Sequence, residues 1–196
     1  MNDHKGFFAM MARMKYIERW ALMRNSMSEN ICEHSLDVAM LAHGLGIIGR
    51  KRFGKDLSPE RLAMLGMYHD CTEIITGDMP TPVKYANDEL KEAYKAIEDS
   101  AAHRLLEMLP EDLRAEYESY FLPEQITPEE YRYVKAADKL SALIKCIEEE
   151  KTGNQEFRSA KQATYESLQQ MNMPEVTVFC EVFLPEYYKT LDELEH

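Results

Sequence analysis

The chain has 196 residues, 45% of them apolar, and sets 23 Lys and Arg against 35 Asp and Glu for a formal charge of −12. The length suits one compact unit, and the apolar share is too high for a disordered chain. With a pI near 5.0 the surface repels nucleic-acid polymers, which are held by clustered Lys and Arg.

Helical spacing dominates and no alternating strand pattern stands out, so the expected fold is all-α. Phe7, Met10, Met11, Met14 and Ile17 predict a first amphipathic helix. Ser26-x-x-Glu29 reads as a capping box opening a second helix that runs to about Gly49. The dense basic run Arg50-Lys51-Arg52 then reads as a loop or helix end. Ser58-Pro59 supplies an N-cap and an N1 proline for a third helix ending near Ile75. Glycine and two prolines between Thr76 and Pro82 break the pattern. Leu90, Tyr94, Ile97, Ala101 and Leu105 mark a fourth helix, stopped by Pro110. Thr127-Pro128-Glu129-Glu130 opens a fifth that reaches Gly153. Two further stretches follow, the last ended at about Leu184 by Pro185. No repeat or long linker interrupts residues 1–196, which predicts a single all-α domain.

Cys32, Cys71, Cys146 and Cys180 form no C-x-x-C pair and read as free thiols of a reducing compartment. The N-terminus lacks a continuous apolar stretch and charges interrupt the later ones. The expectation is a cytoplasmic protein with neither signal peptide nor membrane span.

The string Tyr68-His69-Asp70-Cys71-Thr72-Glu73 carries the strongest chemical signal. His69 follows Leu62 by seven residues, so the two share an inward face of the third helix. Glu73 lies one turn beyond His69 and Asp70. An imidazole and two carboxylates crowded in a half-buried patch call for a cation, because buried charge is costly unless balanced. His34 shares the inward face of Ile31, Val38 and Leu41 on the second helix, whereas His43 falls on the opposite face and is expected in solvent. Asp138 sits among Ala136, Ala137 and Leu140 on the fifth helix, with Lys135 or Lys139 as ordinary salt-bridge partners. Taken singly, each reads most simply as packing or a local ion pair. Two imidazoles and two carboxylates together suit one divalent first-row cation with positions left for water and a phosphate oxygen.

His34, the adjacent His69-Asp70 and the distant Asp138 resemble in order and helical setting the H…HD…D pattern of the HD-domain metal-dependent phosphohydrolases. The likeness extends to Arg19-Trp20-x-x-Met23-Arg24-Asn25, Glu29-Asn30-x-x-Glu33-His34-Ser35, Tyr68-His69-Asp70, Glu73, Thr76-Gly77-Asp78-x-Pro80-Thr81-Pro82-Val83-Lys84-Tyr85, Lys135-x-Ala137-Asp138 and a late Phe-x-Pro. These strings resemble the bacterial 5′-deoxynucleotidase family over nearly the whole chain. The resemblance implies a single HD-domain helical bundle whose site is built from segments 19–34, 69–84 and 138. It implies hydrolysis of deoxyribonucleoside 5′-monophosphates in preference to ribonucleotides. It further implies one divalent cation such as Co2+ or Mn2+ on His34, His69, Asp70 and Asp138, and a homodimer.

Within that reading Glu73 orients or deprotonates the attacking water, or else holds His69 in its tautomer. Asp78 protonates the leaving oxygen or bonds the sugar; by resemblance Asp78, Met79, Pro80 and Thr81 contact substrate, as does Asp70. Arg19 offers the phosphate a planar fork. Trp20, the single tryptophan, caps a helix with apolar area or packs on the sugar and excludes a 2′-hydroxyl. Lys84 adds charge near the phosphate or is simply solvated. Cys71 faces away from the cation or is a soft ligand to it. The competing classes are a one-metal phosphodiesterase, a deoxynucleoside triphosphohydrolase and a non-catalytic nucleotide sensor; retention of Glu73 and Asp78 weighs against the sensor.

Overall fold

The computed structural model describes residues 5–84 and 86–195; Tyr85 of the motif quoted above lies outside them. The described residues hold helices and no strand beyond one isolated antiparallel bridge between Glu18 and Asn30. The all-α expectation is met.

The first helix is shorter than its spacing implied. It divides into α1 (Phe7–Met11) and a 3₁₀ turn at Met14–Tyr16. A loop then leads to α2 (Ile31–Phe53), which is capped by Asn30 rather than Ser26. The Asn30 side chain accepts from the Cys32 and Glu33 amides, and Glu33 reaches back to the Asn30 amide. The Ser26–Glu29 box does not form because backbone bonds from Arg19 N to Glu29 O and from Ile31 N to Ile17 O hold this stretch as a closed loop. α2 also runs past Gly49 to a left-handed cap at Gly54. A Cβ at Gly49 would lie 2.6 Å from the Tyr133 hydroxyl, so that glycine serves a helix crossing and not a stop.

α3 (Pro59–Tyr68) begins as expected, with Ser58 Oγ accepting from Arg61 N and Pro59 in the first turn. It ends at Tyr68, not near Ile75. The chain turns through residues 69–72 and re-forms as α4 (Glu73–Thr76). Tight bonds from Cys71 N to Tyr68 O and from Glu73 N to Asp70 O wind this turn. The neighbours His69 and Asp70 at this turn both turn a ligand atom to one centre shared with His34.

α5 (Thr81–Lys84), α6 (Asp88–Leu106) and α7 (Glu111–Phe121) follow; α7 had no expectation, and the one-turn α5 opens inside the stretch expected to hold no helix, with Pro82 in its first turn where no amide is needed. α8 (Pro128–Lys151) has the expected reciprocal cap between Thr127 and Glu130, and Gly153 just beyond it is left-handed. α9 (Arg158–Gln170), α10 (Pro174–Val182) and α11 (Leu191–Leu194) complete the chain, with a 3₁₀ turn at Leu184–Tyr188 that begins where Pro185 was expected to end a helix.

Two apolar clusters build the core. One joins Val38, Leu45, Leu62, Leu65, Leu140 and Ile147 across α2, α3 and α8. The other gathers Phe7, Ile31, Cys71, Leu105 and Phe121. His34 stands one turn from Ile31 of the second cluster and one from Val38 of the first, at their junction. At Gly66 a Cβ would meet Val38 O and the Ala39 Cα at 3.0 Å, so only glycine lets α3 cross α2 closely enough to bring His69 beside His34. Among the described residues, Ile31–Phe53 is the one helix long and apolar enough to cross a membrane by length and composition, its most apolar 18-residue window reaching a mean hydropathy of 1.2 although Glu33 and Asp37 interrupt it as expected. Its apolar face instead packs against α3, α8 and α10.

Candidate active site

A cavity of about 730 Å³ opens over the junction. Arg19, Trp20, Asp70, Glu73 and the 78–82 loop form one wall, and α8 and α9 form the other. A second groove of about 600 Å³, lined by Lys5, Arg13, Lys15 and Met108, contains no carboxylate or imidazole.

At the cavity floor His34 Nε2 lies 3.4 Å from Asp70 Oδ2 and 3.3 Å from Asp138 Oδ1. His69 Nε2 lies 2.9 Å and 4.0 Å from the same two oxygens. Ligand atoms each about 2.1 Å from one cation sit roughly 3–4 Å apart; three of the four separations fall in that range and the fourth lies just below it. One ligand atom from each of His34, His69 and Asp70 lies within 4.8 Å of the others. Both Nε2 atoms are buried and make no aligned hydrogen bond. His69 Nδ1 donates to Gly66 O at 2.7 Å, which leaves the Nε2 lone pair free. These residues fit a divalent cation.

The electrostatics agree. Burial pushes the His34 pKa down, but Asp138, Asp70 and Glu29 outweigh it and raise it to about 10. Burial and the neighbouring charges of Asp70 and Asp78 push Glu73 up to about 9. Burial also raises Asp78, against the pull of Arg19. Asp138 is held well below the ordinary range, since Lys135 and the two imidazoles overcome its burial. The centre holds more negative charge than its own cations balance.

His34 Nδ1 lies 3.1 Å from Ser141 Oγ, 3.5 Å from Glu29 Oε1 and 2.9 Å from Arg19 Nη1. With Nε2 given to a cation, Nδ1 carries the proton and donates to Ser141 or Glu29, and Arg19 is left to Glu29. Arg19 is thus less free than a phosphate fork requires: it lines the cavity, but Nη1 donates to Glu29 Oε1 at 2.8 Å. Trp20 lies in the loop and caps no helix. Its φ is +61°, its Nε1 donates to Glu29 Oε2 at 2.7 Å, and its ring meets Phe157 edge-on at 5.3 Å.

Asp78, Met79, Pro80, Thr81 and Lys84 all line the cavity. Lys84 is neither solvated nor free, since its Nζ pairs with Glu98 at 2.8 Å above the Tyr94 ring. Asp138 does pair with Lys135, through Oδ2, while Oδ1 faces the histidines; the ordinary salt bridge and the inward carboxylate coexist. Cys71 faces the apolar cluster around Phe7 and Ile31, where burial holds its thiol well above the usual range. His43 is exposed, as its helical phase required, and the four cysteines are free thiols.

The sequence reading missed Glu29, Ser141 and the anchor beneath the loop. Buried Glu149 accepts from Lys145 Nζ at 2.6 Å, Ser26 N at 2.9 Å and Asn154 Nδ2 at 2.8 Å. The i,i+4 spacing of Lys145 and Glu149 is visible in sequence, but it reads as a solvated pair. Burial pushes the Glu29 carboxyl up, yet bonds to His34, Arg19 and Trp20 hold it at about 2.

The model of the family described as 5′-deoxynucleotidase YfbR-like matches residues 6–187. A 5′-deoxynucleotidase of Vibrio cholerae is 48% identical over 188 residues, 96% of this chain and 97% of that protein. The 5′-deoxynucleotidase YfbR of Shigella boydii is 46% identical over 96% of this chain and 94% of its own length. Among solved structures, an HD-domain phosphohydrolase from Listeria innocua superposes with a TM-score of 0.80 at 22% identity, covering 96% of this chain and 91% of the other. The cyanophage S-2L HD phosphohydrolase DatZ, solved with dA and one catalytic Zn2+ ion, gives 0.64 at 23% identity, covering 93% and 96%. The convergent histidines and carboxylates at this cavity floor therefore sit in an HD-type phosphohydrolase fold, and the chain belongs to the YfbR-like 5′-deoxynucleotidase family.

Proposed function

We propose that this enzyme hydrolyses deoxyribonucleoside 5′-monophosphates to nucleoside and phosphate and prefers them to ribonucleotides. The observation that carries the reading is the pair of buried, unpartnered Nε2 atoms of His34 and His69 facing Asp70 and Asp138 beneath a wall made by Arg19 and Trp20. DatZ, with its dA and one catalytic Zn2+, supports a nucleoside-sized occupant and a single cation.

His34, His69, Asp70 and Asp138 hold the cation, Co2+ or Mn2+ by family resemblance. Such an ion neutralises phosphate charge and acidifies water. Glu73 lines the cavity with Oε2 buried and unpartnered. Burial first, then Asp70 and Asp78, push its carboxyl up to about 9; the charge of a bound cation would oppose that rise, and as carboxylate Glu73 takes a proton from the attacking water. Asp78, whose carboxyl burial raises, gives a proton to the departing 5′-oxygen. Arg19 faces the phosphate with the nitrogens not engaged by Glu29. Met79, Pro80, Thr81 and Lys84 bound the nucleoside. Trp20 packs on the sugar and leaves a 2′-hydroxyl desolvated and unpaired, which costs on the order of 1–3 kcal/mol. One domain over residues 1–196, a homodimer and a cytoplasmic location complete the reading, on the strength of the resemblance and the free thiols.

The test is phosphate release from dAMP and AMP, with and without chelator, across added divalent metals. Release from dAMP should stop with chelator, return with metal and exceed release from AMP. Trp20→Ala should narrow that gap by about tenfold. Metal-independent turnover, or equal rates on the two substrates, would refute the corresponding part of the reading.

A further inference from the structure

Glu29 belongs to no metal-ligand set, yet both of its carboxylate oxygens are occupied by the cavity wall. Oε1 accepts from Arg19 and Oε2 accepts from Trp20. The two donors are consecutive residues, and Trp20 holds a left-handed φ of +61° that side-chain-bearing residues seldom adopt without support. The backbone closes the same loop, through Arg19 N to Glu29 O at 2.8 Å. Apart from the Glu29 bond, the indole rests on an edge contact with Phe157 and lies beside the Arg19 guanidinium, whose Cζ is 5.7 Å from the ring centroid. These contacts are directional only weakly. The hydrogen bond is what fixes the ring's rotation.

We propose that Glu29 is the positioning residue for deoxyribose preference, holding the Trp20 indole and the Arg19 guanidinium as one unit so that the indole edge stays against the sugar. The proposal rests on the role given to Trp20 above. An ionised carboxylate offers each donor its own oxygen. A carboxamide has one acceptor oxygen and an amide that repels a second donor, so in Glu29→Gln the charged Arg19 takes the single oxygen and the indole is freed. A freed indole swings on two torsions and opens room for the 2′-hydroxyl.

The experiment compares kcat/KM for dAMP and AMP in the metal-loaded wild type, E29Q, W20F, W20A and the E29Q/W20F double variant. The ratio of the two substrates is the readout, because it cancels any common loss of activity through Arg19 or His34. Trp20 is the only tryptophan, so its emission and acrylamide quenching, read without substrate in wild type and E29Q, report its position directly. E29Q should lower the dAMP/AMP ratio by about tenfold, with red-shifted, more quenchable emission. W20F keeps an aromatic ring, smaller than the indole, but lacks the N–H, and should lower the ratio to a similar degree. The double variant should be no worse than the stronger single one, since both remove the same bond. A narrowed ratio in W20A beside unchanged ratios in E29Q and W20F overturns the proposal and leaves the role of Trp20 standing. Full additivity in the double variant overturns it as well. An unchanged ratio in W20A removes the premise and both readings with it. Should E29Q fail to fold, a wild-type ratio in W20F alone is sufficient to overturn the proposal.

Discussion

The two halves of the site are held by different forces. His34, Asp138 and the His69-Asp70 pair stand on α2, on α8 and at the end of α3, and their meeting follows from close helix packing. Buried Leu45, Leu62 and Leu140 and the Gly66 crossing set the distances at this centre, which tolerate little displacement. Arg19 and Trp20 stand on the loop between the Met14–Tyr16 turn and α2, where no regular element holds them. Carboxylates do that work, Glu29 from within the loop and Glu149 from the end of α8. Each charge-assisted bond contributes about 1.5–3 kcal/mol. The metal floor thus depends on apolar packing and resists polar change, whereas the wall depends on a few ionised groups and responds to pH and to single substitutions.

The largest effect expected lies on the floor. Glu73→Ala should lower the rate of dAMP hydrolysis by about 10²–10⁴, while metal bound per chain, measured by elemental analysis, stays at the wild-type level. Near-normal turnover would remove Glu73 from the chemistry, and lost metal would move it into the ligand set.

The next effect separates the wall from the floor. Glu149→Ala leaves Lys145, 6% exposed, with the Met27 carbonyl but no counter-charge, and leaves the Ser26 and Met27 amides without their acceptor. Breaking such a buried pair costs about 3–5 kcal/mol, to be read by urea unfolding at neutral pH. Burial pushes the Glu149 carboxyl up, but Lys145, Asn154 and Ser26 outweigh it and hold the pKa at about 2. A depressed folded-state pKa stabilises above the unfolded value, here about 4.5, and that contribution is lost as pH falls through about 2. Glu149→Gln should therefore flatten the decline of stability over this acidic window. An unaltered slope would show that other carboxylates set the acid limit.

The smallest effect tests whether the two halves are coupled at their hinge. Asn30→Ala removes the α2 cap at the point where the loop joins the helix, and should cost about 1 kcal/mol of unfolding free energy. A dAMP/AMP ratio that shifts together with this modest loss would mean that the cap also carries the wall.

The same division decides how much could be read before folding. The existence of α2, α3, α6 and α8 followed from apolar spacing, though that of α7 did not, and the caps at Ser58-Pro59 and Thr127–Glu130 were read correctly because every partner lies within four residues. The inward phase of His34 and the outward phase of His43 followed from counting along one helix. The Ser26–Glu29 box failed because Arg19 and Trp20, some ten residues back, take both Glu29 oxygens and the Ser26 amide goes to Glu149. The end of α3 was misplaced because the turn at residues 69–72 is wound by its place against α2, which spacing alone does not encode. Gly49 read as a stop because its neighbour Tyr133 is distant in sequence.

By itself, then, the sequence determined an all-α chain, the starts of α3 and α8 and four metal candidates, since these depend on periodicity and near-neighbour bonds. Only the tertiary structure decided that both Nε2 atoms meet Asp70 and Asp138, that Arg19 is tied to Glu29, and that Lys84 is paired with Glu98. Those facts depend on contacts between segments far apart in the chain. Their strength comes from burial, which no local pattern specifies: an exposed Glu29 or Glu149 would be a solvated charge, while a buried one becomes the anchor of a wall.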